Sequence, residues 1–136
     1  FQLKNLIFFT LISISLMSCT SKEETLKNKR DEVMQIHDEA MAKMDALNNY
    51  ETISREKVFD YKSNMQDDSA SFYETILFET VDAQNNMMDW MHQYNLDSAS
   101  NNNSKAEEYL KSQLTKVKKV HQDIFNALEN GKKHLK

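Results

Sequence analysis

The chain contains no proline and a single glycine, Gly131. Hairpins and β-sandwiches depend on those residues at their corners, so a turn-rich β protein is excluded. The only cysteine, Cys19, rules out a disulfide within the chain. Lysine and arginine form no block, and the formal net charge is −4. Duplex affinity rests on phosphate neutralisation, so nucleic acid is not an expected partner. Catalytic signatures are missing as well. His37-Asp38-Glu39-Ala40-Met41 fails the HExxH zinc-protease pattern, and there is no CxxCH, glycine-rich phosphate loop or Ser/His/Asp set. Asp89-x-x-His92 has the spacing of a di-iron carboxylate motif, but those sites need two copies and further glutamates. Haem held by one histidine and one methionine is compatible with a helical bundle but has no motif here. No enzyme is expected.

What is present begins at the N-terminus. Lys4 precedes the apolar run "LIFFTLISISL", Leu6 to Leu16, and then "MSC", Met17 to Cys19. A basic residue, a short apolar run and a small residue before the cut describe a secretory signal, expected to span residues 1–18. The run is too short for a spanning helix, which needs roughly 20 apolar residues. Leu16-Met17-Ser18-Cys19 resembles the lipobox of bacterial lipoproteins, with Met17 bulkier than the usual occupant of its position. That resemblance implies cleavage before Cys19, lipid attachment to it and membrane tethering of everything downstream. Several acyl chains at ~0.8 kcal/mol per buried methylene hold a soluble domain firmly at a bilayer. The polar segment "TSKEET" then reads as a tether over residues 19–25. It resembles the export signals that carry some lipoproteins to the cell surface, and it also suits a plain solvated linker.

The remaining residues, 26–136, are enough for one domain. Leu26, Val33, His37, Ala40, Met44 and Leu47 recur in steps of three, four and seven, the stripe of one helical face. One long helix is expected from about Glu24 to about Lys62. The polar stretch "SNMQDDSAS", Ser63 to Ser71, supplies a turn, with Ser71 and Glu74 spaced as a capping box. The second helix carries Leu77, Val81, Met88 and Met91 on one face, with Ile76, Ala83, Met87 and Trp90 beside it. After a second turn at "NLDSASNNN", Ser104 and Glu107 repeat the capping-box spacing. The third helix has the stripe Leu110, Leu114, Val117, Val120, Ile124 and Leu128, and Gly131 is expected to end it. The fold expected is all-α, an antiparallel three-helix bundle with long helices behind a signal peptide. An elongated dimeric coiled coil is the rival, because each stripe is narrow.

Charge is divided unevenly. Residues 19–103 carry 8 basic and 17 acidic side chains, whereas residues 104–136 carry 8 basic and 4 acidic. A basic third helix packing on two acidic ones accounts for this, and its last lysines suit the negative end of the helix dipole.

Two stretches hold the remaining chemistry. In "HDEAMAKM", His37, Met41 and Met44 lie at i, i+4 and i+7, and in "MMDWMHQY" Met88 and His92 repeat the i, i+4 relation beside Met91. With the first turn centred near residues 65–67, Met41 falls level with residues 89–93 and Met44 with residues 86–90. His121 falls near residue 78, and His134 lies in the tail. Thioether sulfur and neutral imidazole suit Cu(I) and Ag(I). The HxxxM and MxxxH spacings resemble motifs of periplasmic silver- and copper-binding proteins. Methionine is equally a filler of irregular helical cores, and these methionines fall on or beside the stripes that packing requires.

Taken together, the lipobox and the pairing of these two stretches resemble a group of small bacterial lipoproteins often labelled "viral A-type inclusion protein". The resemblance spans most of the mature chain, implies a helical lipoprotein and brings no catalytic residues with it. Two functions are expected. One is a lipid-anchored module of the cell envelope, at the outer membrane and periplasmic or surface-facing, that takes part in structure or interaction with an envelope protein. The other is a soft-metal binder using His37, Met41, Met44, Met88, Met91 and His92.

Overall fold

The computed structural model describes residues 21–135. The expected signal segment and Cys19 lie outside the described residues. The described chain is all-α. Its helices are α1 (Lys22–Met41), α2 (Met44–Ser63), α3 (Asp67–Gln93), the short α4 (Leu96–Ser100) and α5 (Ser104–His134).

Helix α1 starts where Ser21 accepts the Glu24 amide on its hydroxyl at 3.1 Å, an N-cap that satisfies one orphan donor. Residues 22–25, expected in the tether, therefore belong to the helix. The single helix expected over residues 24–62 is interrupted at Ala42 and Lys43. There the Lys43 amide bonds the Ala40 carbonyl at 2.9 Å, a three-residue step in place of the usual four. The interruption does not change phase. Leu26, Val33, Ala40, Leu47 and Ser54 are all fully buried, each seven residues after the last, so one stripe runs through both helices.

The same seven-residue spacing organises the other long helices. In α3 the buried positions include Ile76, Ala83 and Trp90, with Thr80 and Met87 between them. In α5 they are Ala106, Leu110, Gln113, Val117, Val120, Ile124, Ala127 and Gly131, alternating steps of four and three. This is the pattern of helices whose side chains interdigitate at small crossing angles. One core cluster draws Val33, Ala40 and Leu47 from α1 and α2, Met87 and Trp90 from α3, and Val117 and Ile124 from α5. A satellite of Leu26, Ala99 and Leu110 joins α1, α4 and α5.

Cross-helix contacts fix the neighbours. The end of α2 meets the beginning of α3: Tyr61 stacks on Tyr73 with centroids 5.3 Å apart, and Lys62 pairs with Glu74. Farther along the same pair, Gln84 bonds Asn48 at 2.8 Å. Lys118 of α5 pairs with Glu32 of α1 at 2.8 Å, so the basic helix meets an acidic partner on α1. Asn130 of α5 donates to Glu79 of α3.

The first turn occupies residues 64–66, as expected, and Met65 there takes the left-handed conformation with φ 56°. The capping residues differ from expectation. Helix α3 starts at Asp67, four residues earlier than the Ser71 box, with two acids in its first turn facing the positive end of the dipole. At α5 the cap is Asn103, whose side-chain oxygen accepts from Ala106 at 3.0 Å. Asparagine caps as well as serine does.

Gly131 does not end α5. The helix continues to His134, and the glycine is buried against the Tyr50 ring: a β-carbon on it would lie 2.8 Å from Tyr50 Cγ. Here glycine serves close approach rather than termination.

Candidate functional site

Helix α1 carries His37 and Met41 on one side, and α2 begins with Met44 on the same side. The Asn48–Gln84 bond sets the register between this long face and α3, and it places the levels of Met41 and Met44 opposite the stretch that holds Met87 to Met91. Met41, Met44 and Met91 are half-buried, and all three pack on the core cluster that contains Met87 and Trp90. Met88 is 42% exposed, and His92 at the end of α3 is exposed as well. Thus the sequence-selected residues divide. Four line or border the core, and two face outward.

His37 is the best-defined member. Its ring is largely covered, its Nδ1 lies 2.8 Å from Asp38 Oδ1, and its centroid is 5.7 Å from that of Trp90. With the proton on Nδ1, that nitrogen donates to the carboxylate and Nε2 keeps a free lone pair. Among the described residues, His37 Nε2 makes no hydrogen bond. Trp90 itself packs on Tyr94 at 5.2 Å, and its indole N–H is buried without an acceptor among the described residues. Trp90 was visible to sequence reading only as a core residue. Its contact with His37 depends on the pairing of helices and has no local signature.

His121 does not lie level with residue 78. Asn130 meets Glu79 instead, so α5 is shifted along α3 relative to a direct return. The cause is α4, which lengthens the connection and seats the beginning of α5 against Leu26 and Ala99. His121 stacks on Phe125 at 4.4 Å and approaches Glu39 at 3.5 Å. His134 is not in a loose tail; its ring meets Phe72 edge-on at 5.1 Å.

A second feature lies near the turn joining α2 and α3. Phe59 is 72% exposed and Met65 91% there, while Phe78, 70% exposed, lines a separate groove with Glu79, Asp82 and Asp123. Val58, Phe59 and Leu77 line an open groove there, with Arg55, Lys62 and Ser63 completing its walls. The two cations are engaged, Arg55 with Glu51 at 2.8 Å and Lys62 with Glu74, so the groove is apolar between paired charges. Leu77 was expected to serve the core and instead lies in this outward groove.

Among the described residues no group of three histidine, cysteine, aspartate or glutamate side chains converges as a metal site, and no helix is long and apolar enough to cross a membrane. Comparison with protein-family models, curated proteins and solved structures finds no match.

Proposed function

We propose that this chain is a lipid-anchored protein of the cell envelope, whose antiparallel three-helix bundle is a non-catalytic structural or interaction module. The observation that carries the reading is the open apolar groove of Val58, Phe59 and Leu77, with Phe78 left exposed in a separate groove between α3 and α5. Exposed aromatic side chains cost solubility and serve best where a partner covers them.

Two further observations support the architecture. Stripes from all three long segments meet in a single cluster, which favours a bundle within one chain over a two-chain coiled coil. The contacts Tyr61–Tyr73 and Asn48–Gln84 fit an antiparallel α2 and α3, and Leu26 with Leu110, Glu32–Lys118 and Tyr50 with Gly131 fit a third helix antiparallel to α3 and parallel to α1 and α2.

The anchor gives the module an orientation. Only Thr20 and Ser21 separate Cys19 from α1, so a lipid on Cys19 would stand the bundle almost directly on the bilayer. At 1.5 Å per residue, α1 and α2 then carry the aromatic end roughly 60 Å outward, toward a partner in the periplasm or at the surface.

Two measurements test the reading. A photo-crosslinking residue at Phe59 or Phe78 of the full chain, in its own membrane, is expected to give a discrete protein adduct, whereas one at the exposed Gln122 gives none. Incorporation of a fatty-acid analogue is expected in the wild type and not in Cys19→Ser. Equal labelling of both chains removes the anchor, and silence at both phenylalanines removes the interaction role.

A further inference from the structure

We propose that His37, Met41, Met44 and Met91 form a binding site for a soft monovalent cation, Cu(I) or Ag(I), beside the indole of Trp90. The site is independent of the interaction role. It is narrower than the set of six that spacing alone selects, since it omits the outward Met88 and His92, and it adds two residues of different kinds.

The first addition is Asp38. A histidine that binds metal through one ring nitrogen normally donates its other N–H to a carboxylate, which fixes the tautomer and the orientation of the ring. His37 has that arrangement before any metal arrives: Nδ1 is 2.8 Å from Asp38 Oδ1, and Nε2 has no partner among the described residues. Asp38 is therefore a positioning residue and not a ligand.

The second addition is Trp90. An indole face within about 6 Å of a cation attracts it through the ring quadrupole. The His37 and Trp90 centroids are 5.7 Å apart. Met91 follows Trp90 in the chain and packs on the same cluster as Met41 and Met44.

The donor types choose the ion. Thioethers have no proton to lose and no charge, so they hold Mg(II), Ca(II) and Zn(II) poorly and Cu(I) or Ag(I) well. Divalent metals would need carboxylates or several imidazoles, and no such group of three converges among the described residues.

The single tryptophan makes the test direct, because all indole emission comes from Trp90. The full chain carrying Cys19→Ser, so that no thiol competes, is titrated with silver nitrate in chloride-free buffer. One equivalent is expected to change Trp90 emission, with a stoichiometric heat in calorimetry. His37→Ala and Met41→Leu are expected to abolish the response, and Asp38→Asn to weaken it by about 10- to 100-fold. Met88→Leu and His92→Ala leave it unchanged. Met41→Leu nearly conserves core volume, so its helical circular dichroism should match the parent and separate lost ligation from lost fold. Emission that ignores silver, or a response that survives both His37→Ala and Met41→Leu, overturns the proposal.

Discussion

The Tyr50 ring occupies the space in which a β-carbon on Gly131 would sit, so the only glycine of the chain is a packing residue in the middle of a helical turn. Two effects then oppose each other in Gly131→Ala. Alanine is favoured over glycine in a helix by about 1 kcal/mol. Forcing a methyl against the ring stem at 2.8 Å costs about 1–3 kcal/mol, because Cγ cannot swing away as a side-chain tip would. Urea unfolding should show a net loss of stability. In a Tyr50→Ala background the same change should turn stabilising, and that reversal of sign identifies the ring as the cause.

Ser54 presents the opposite case. It sits fully buried on the stripe of α2, and its hydroxyl has no hydrogen-bond partner among the described residues. An unpaired buried hydroxyl costs about 1–3 kcal/mol, and Ser54→Ala removes it without a large change of shape. The variant should be more stable by about 1–2 kcal/mol, helped by the better propensity of alanine. Thr80 is the control. Its hydroxyl bonds the Ile76 carbonyl at 2.9 Å, so Thr80→Val should give no comparable gain. A thermal melt of the two variants decides between them.

Gly131 also shows where sequence reading fails, since it was expected to end the helix and lies within it. Leucine, valine and isoleucine announce a stripe, and Val33, Leu47, Val117 and Ile124 were legible for that reason. Spacing places Ala40 and Ala83 on the stripes, whereas Ala106 and Gln113, which carry little hydropathy, complete the stripe of α5 without a signal of their own. Small side chains such as alanine let helices come close. The break at Ala42 and Lys43 gave no warning, since methionine, alanine and lysine all favour helix. The turn near Met65 was legible because a long polar stretch has no face to bury. In the candidate site, the His37–Met41 spacing could be read locally. The approach of Trp90 could not, because it depends on how α3 settles against α1.

Tyr94 provides a pH-dependent signature. Burial pushes its phenol above the ordinary 10.0, the nearby Tyr109 adds to the effect, and Arg30 partly offsets it. The folded state therefore holds this proton more tightly than the unfolded chain does. Its contribution to stability is complete below about pH 10 and is lost as pH rises from there through the raised folded value. Urea midpoints measured at increasing alkaline pH should fall for the wild type and fall less for Tyr94→Phe. Identical slopes would mean that the phenol titrates alike in both states.

The two apolar clusters should unfold separately. Leu47 belongs to the main cluster shared by the three long segments, and Leu47→Ala should cost about 2–5 kcal/mol of global stability. Leu26 belongs to a satellite whose other buried members among the described residues are Ala99 and Leu110, joined by the 3.1 Å bond from Arg30 to the Ala99 carbonyl. That region has few groups to hold it, so it should open at lower free energy than the rest. Native-state hydrogen exchange on Leu26→Ala should show faster exchange in the first half of α1 and in α4, with the amides around Met87 and Ile124 unchanged. Acceleration throughout the chain would show instead that the end nearest Cys19 and the main core fold as one unit.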